Sequence, residues 1–75
     1  MERYANRDGD SGVIAYEVTA DAIKVQFSDR KIYVYNSIRP GTAIVNEMKN
    51  LANAGRGLNS YINRIVRKNY YAIEY

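Results

Sequence analysis

Four cationic side chains, Arg56, Arg64, Arg67 and Lys68, crowd a short stretch near the end of the chain. Guanidinium and ammonium groups at this density suit an oxyanion, because charge-assisted hydrogen bonds are about twice as strong as neutral ones. Asn59 and Asn63 are interleaved with them. Wound as a helix at about 100° per residue, the stretch sets Asn59, Asn63, Arg64 and Arg67 on one side, with Lys68 at its edge. Carboxamides carry both donors and acceptors, so this stripe has the chemistry for phosphate and for a base edge. An ordinary solvated helix face has the same composition. Gly55-Arg56-Gly57 precedes the helix, and two roles are open to it. With Arg56 and Gly57 at a helix N-terminus, exposed backbone N–H groups would hold an anion. Alternatively, Gly55 takes the left-handed conformation that ends one helix, and Gly57 eases the turn into the next. A phosphate loop of the Walker type is excluded, since its Lys-Ser/Thr pair is absent.

Other chemistry is scarce. The 75 residues contain no His and no Cys. The usual proton shuttle near neutral pH, thiolate nucleophiles, disulfides and Cys-based zinc sites are therefore missing together. Glu17, Asp21, Glu47 and Glu74 are scattered, and no nucleophile–base pair stands out. "RDGDSG" sets acids beside glycine but lacks the length and the terminal Glu of a calcium loop. The chain is expected to bind rather than catalyse, without metal or cofactor.

The net charge of +3 is unevenly placed: residues 1–45 balance six basic against six acidic side chains, whereas 46–75 hold five against two. This asymmetry points to an anionic partner for the C-terminal half. Eight tyrosines accompany one Phe and no Trp. So small a domain cannot bury eight phenols and satisfy every hydroxyl, so some tyrosines belong at a surface or interface.

The elements that position these groups follow from periodicity. Residues 1–11 show none and are expected to form a flexible or loosely docked arm, leaving 12–75 as the domain. "VIAYEV", "AIKVQFS" and "IYVYN" read as three strands, with Ile23, Val25 and Phe27 on one side of the second. An even-numbered loop after Phe27 opposes Phe27 to Ile32 and Val25 to Val34. Tyr33 and Tyr35 then share the outer face with Lys24, as a platform on which bases could stack. A three-residue loop reverses the third strand and turns both tyrosines inward. Both registers are open.

"SIRPGT" is a turn. "AIVNEMKNLANA" is a helix with Ile44, Val45, Met48, Leu51 and Ala52 on one face, Thr42 as N-cap and Gly55 as its stop. A second helix runs from about Leu58 to Lys68, with Leu58, Tyr61, Ile62, Ile65 and Val66 facing inward. The tail "NYYAIEY" is either a short extra strand or a loose end. The expected fold is α+β, a three-stranded antiparallel meander followed by two helices on one face. Its core would hold Ile23, Val25, Phe27, Ile32, Val34, Val45, Met48, Leu51, Ile62 and Ile65.

The order of Ser11, Tyr16, Ile23, Val25, Phe27, Tyr33, Tyr35, Gly57, Tyr61, Ile62, Asn63, Val66, Arg67 and Tyr70 resembles the KTSC domain. This short module occurs at the C-terminus of some lysyl-tRNA synthetases and alone in bacterial and phage proteins. The chain departs from that pattern at Arg30, where the family usually has Gly, and in "AGRGLNS", where it has Ser-x-Gly. The resemblance implies contact with RNA, or, for freestanding phage copies, capture of nucleotide-derived signals or inhibition of a host protein.

Together these readings anticipate a non-enzymatic module for an anionic, nucleotide-containing ligand, RNA or DNA first. Arg56, Gly57, Asn59, Asn63, Arg64, Arg67 and Lys68 would hold phosphate, and Tyr33, Tyr35 or Tyr61 would stack. The alternatives are a homo-oligomer sequestering nucleotide-derived signalling molecules and a protein–protein inhibitor. A chain this short buries only about 60% of its unfolded surface, so association of copies is the remaining source of core. No run of about 18 apolar residues is present and the N-terminus has no apolar stretch, so neither a membrane span nor a signal peptide is expected, and the location anticipated is cytoplasmic.

Overall fold

The computed structural model describes residues 1–7, 9 and 12–74. Ser11 of the family pattern and the acids of "RDGDSG" lie outside the described residues. Strands β1 (Glu2–Arg3), β2 (Val13–Val18), β3 (Ala22–Phe27) and β4 (Ile32–Asn36) are followed by helices α1 (Thr42–Ala54) and α2 (Leu58–Tyr61). The latter runs on as a π-helical segment, Ile62–Val66, before strand β5 (Ala72–Glu74). The class is α+β, but the sheet has five antiparallel strands in the order β1-β2-β3-β4-β5, not three. The two added strands have two and three residues, too short for an alternation to show in sequence.

The β3–β4 hairpin takes the odd loop. Phe27 N–H donates to the Lys31 carbonyl at 3.1 Å and Arg30 N–H to the Phe27 carbonyl at 2.8 Å. Residues 28–30 thus form the loop, and Arg30 adopts φ 71°. A type I turn closed by one left-handed residue is the usual three-residue hairpin. Asp29 reinforces it, since its Oδ1 accepts the Lys31 N–H at 3.0 Å. Ile23 consequently opposes Tyr35, and Val25 opposes Tyr33. Lys24 instead opposes Val34, and Gln26 opposes Ile32. The outer tyrosine platform is therefore corrected: Tyr33 and Tyr35 face the helices, while Ile32 and Val34 sit half-buried on the helix-free face.

The described part of the expected arm is docked. Tyr4 is 4% exposed, bonds its N–H to the Ile14 carbonyl at 2.8 Å and accepts the Leu58 N–H on its hydroxyl at 3.3 Å. Arg7 donates its N–H to the Gly55 carbonyl at 2.7 Å and its Nε to the Ala54 carbonyl at 3.0 Å. It thereby serves carbonyls that the end of α1 leaves without helical partners. Gly55, at φ 75°, closes α1. A Cβ on Gly55 would lie 2.5 Å from that of Ala5, so the arm fits only against glycine. At the other end of α1, Gly41 rather than Thr42 is the N-cap.

The core lies between the sheet and the helices. Ile23, Val25, Val45, Met48 and Ile62 are buried as expected, joined by Tyr4, Tyr16, Tyr35, Leu58 and Val66. Phe27 and Leu51 are packed against that cluster. Ile65 is 56% exposed, contrary to expectation. An α-helix extended to residue 68 would point both Ile65 and Val66 inward, but the π turn winds less tightly, keeping Val66 buried and turning Ile65 out. Buried residues consequently recur at Leu58, Ile62 and Val66. No helix among the described residues is long and apolar enough to cross a membrane.

Candidate functional site

The register of β4 and the π turn bring two walls together. On the sheet side stand Phe27, Tyr33 and Tyr35, with Ser28 and Asp29 from the hairpin loop; on the helix side stand Ile62, Asn63, Arg67 and Lys68. Tyr70 completes the lining of a cleft of about 600 Å³. That volume falls within the usual range for small-molecule sites, about 300–1,000 Å³.

Aromatic packing sets the floor. Tyr33 meets Phe27 edge-to-face at 5.2 Å between centroids and Tyr70 at 4.9 Å. Tyr35 reaches the cleft from the core and is only 1% exposed. Burial pushes its phenol well above the ordinary tyrosine range, and the phenols of Tyr33 and Tyr70 push it further. Tyr35 thus stays a neutral hydroxyl at physiological pH, able to donate to an anion without repelling it.

The cations are available. Among the described residues, the side chains of Asn63, Arg67 and Lys68 make no hydrogen bond or ion pair. Several basic side chains are engaged: Lys49 Nζ donates to the Thr19 and Ala20 carbonyls, Arg39 to Asn69, and Lys24 pairs with Glu74, whereas Arg3, Arg30 and Arg64 are exposed outside the cleft. The π segment aims the free pair, because Arg67 N–H bonds back to the Ile62 carbonyl and Arg67 itself takes φ 53°. This turns the chain out of the helix at the rim of the cleft. Irregular helical turns of this kind recur at functional sites.

The remaining anticipated residues lie elsewhere. Gly57, Tyr61 and Arg64 line a smaller groove of about 380 Å³ with Glu47, Leu51, Ser60 and Ile65. Asn59 is half-buried, with its side-chain oxygen near Gly12. Arg56 is exposed and engaged by another group of the chain. The Gly55-Arg56-Gly57 stretch acts as a connector: Gly55 ends α1, Gly57 at φ 81° begins the four-residue α2, and Tyr4 takes the Leu58 N–H. Sequence reading did not assign Ser28, Asp29, Phe27 or Tyr70 to the site. The odd hairpin loop turns Tyr33 and Tyr35 to the side that Phe27 already shares with Ile23 and Val25, and loop parity was the signal that would have brought these rings together. No group of three His, Cys, Asp or Glu side chains suited to a metal occurs among the described residues.

No family model, curated protein or solved structure was found to match the chain. The resemblance to the KTSC domain therefore rests on the residue pattern. Phe27, Tyr33, Tyr35, Ile62, Asn63, Arg67 and Tyr70 of that pattern all line the cleft.

Proposed function

We propose that the chain is a non-enzymatic binding module for a compact anionic ligand of nucleotide size, held in the cleft between β4 and the π segment. Arg67 and Lys68 neutralise the phosphate, Asn63 and the Tyr35 hydroxyl add hydrogen bonds, and Tyr33 and Tyr70 supply aromatic contact to the base. The observation that carries this reading is the convergence of two uncommitted cations with three phenols on one concave surface. Arg56 and Arg64 lie outside that surface. This dispersal favours a single nucleotide unit over a long phosphate backbone, which needs many neutralised phosphates in register. Seven of the fourteen residues of the KTSC-like pattern, Arg67 among them, line the same surface, which also supports the reading.

Amide NMR titration tests it. Ribonucleoside monophosphates and a short single-stranded oligonucleotide are added separately to the labelled chain. The expected shifts map to residues 27–35 and 62–70, are seen with the free monophosphate, and vanish in Arg67→Ala/Lys68→Ala. Shifts on the Arg64 groove, or with the oligonucleotide alone, would contradict the proposal.

A further inference from the structure

The cleft lining draws groups of opposite hydrogen-bonding character from its two walls. Arg67 and Lys68 on the helix side only donate hydrogen bonds, while Asp29 on the hairpin side only accepts them. The other polar side chains of the lining, Ser28, Asn63 and the phenols, can donate. Asp29 is thus the one lining side chain among the described residues that demands donors from a ligand. It is also held in place, because its Oδ1 accepts the Lys31 N–H at 3.0 Å within the three-residue loop. A carboxylate has about four acceptor sites, so this bond leaves most of its capacity unused. No ion pair joins Asp29 to Arg67 or Lys68, so both kinds of group are left to meet a ligand.

A ligand that satisfies both kinds carries an oxyanion for one and adjacent donors for the other. Among the common bases, guanine fits best, since N1–H and the N2 amino group lie side by side and match the two oxygens of a carboxylate. Adenine and cytosine pair each amino group with a neighbouring acceptor nitrogen. Uracil flanks its single N–H with two carbonyl oxygens. In each of these three, an acceptor would face Asp29, and like dipoles at close range oppose binding. Resting on the nucleotide reading above, we infer that the cleft selects guanine, with Asp29 reading its N1–H and amino edge and Arg67 and Lys68 holding the phosphate.

The experiment is calorimetric titration of the full chain with GMP, IMP, AMP and UMP, repeated on Asp29→Asn. Inosine monophosphate differs from GMP by the amino group alone. Asparagine keeps a side-chain oxygen for the Lys31 N–H, so the hairpin loop survives, which its amide spectrum will confirm. The expected result is GMP binding about ten- to a hundredfold tighter than AMP or UMP, with IMP between, since a hydrogen bond to a charged group discriminates by that order. In Asp29→Asn the preference for GMP collapses, while AMP binds as well as before or better. Equal affinity for all four, with Asp29→Asn strengthening every one, would overturn the guanine assignment and leave the nucleotide reading intact. Failure of all four to bind the unaltered chain would overturn both.

Discussion

The ring of Tyr70 meets that of Tyr33 at 4.9 Å between centroids and 85° between planes. This contact ties the segment leading into β5 to the middle of β4 and forms one side of the cleft. Tyr71 N–H extends the tie by bonding to the Val34 carbonyl at 2.7 Å. Tyr70→Ala is expected to destabilise the chain by about 1–2 kcal/mol, the scale of an aromatic pair plus its buried area. It should also abolish nucleotide binding. Tyr70→Phe keeps the packing and should stay within about 0.5 kcal/mol of the parent. Urea unfolding of the two variants separates the ring from its hydroxyl.

Arg30 sits at φ 71° in the hairpin loop, a conformation that costs a side chain about 1–2 kcal/mol and glycine far less. Arg30→Gly is expected to raise stability by up to about 1 kcal/mol, read as a shift in the urea midpoint at unchanged slope. A loss of stability would mean that the loop is even-numbered and that Tyr33 and Tyr35 face outward.

Val66 is 2% exposed and its neighbour Ile65 56%. Val66→Ala should cost about 2 kcal/mol by loss of buried apolar surface. Ile65→Gln should fall within about 0.5 kcal/mol of the parent, as surface changes do. The reverse order of midpoints would show a continuous α-helix through residue 68.

These positions explain how much was legible in the sequence. The alternation around Ile23 and Val25 and the apolar spacing of α1 require only local periodicity, so both elements and the α+β class could be read directly. Tyr33 and Tyr35 depended on whether the loop held two residues or three. The decisive facts, a left-handed Arg30 and the Asp29 bond to Lys31, carry no strong residue signature. The π turn changes helix phase at Ile62 without a glycine or proline to mark it. That phase change turns Ile65 outward while Val66 stays buried, and it leaves Asn63, Arg67 and Lys68 on the cleft while separating them from Arg64. β1 and β5 are too short to show a period, and the docked arm depends on Tyr4 and Arg7 meeting α2 and the end of α1 from far away in the chain.

Tyr35 also sets a pH dependence. Its phenol has a folded pKa raised above the unfolded value of about 10 by burial, then by Tyr33 and Tyr70. The neutral form is favoured in the folded chain. This contribution to stability is therefore complete below the unfolded pKa and is lost as pH rises beyond it toward the folded one. Tyr16 contributes in the same direction, through burial and then its bond to Glu2. Urea midpoints measured from about pH 8 to about pH 11 should fall more steeply in the parent than in Tyr35→Phe. Parallel curves would mean that Tyr35 ionises freely in the folded state.

The most direct measurement compares two double variants of equal charge change by calorimetric titration with each of the four ribonucleoside monophosphates. Arg67→Ala/Lys68→Ala removes the cleft cations, and Arg3→Ala/Arg64→Ala removes two exposed cations outside it. The cleft pair should weaken binding at least about tenfold and the outer pair less than about twofold, because only close, oriented charges contribute beyond screened long-range attraction. Equal losses in the two variants, or no binding by the unaltered chain, would contradict a nucleotide site between β4 and the π segment.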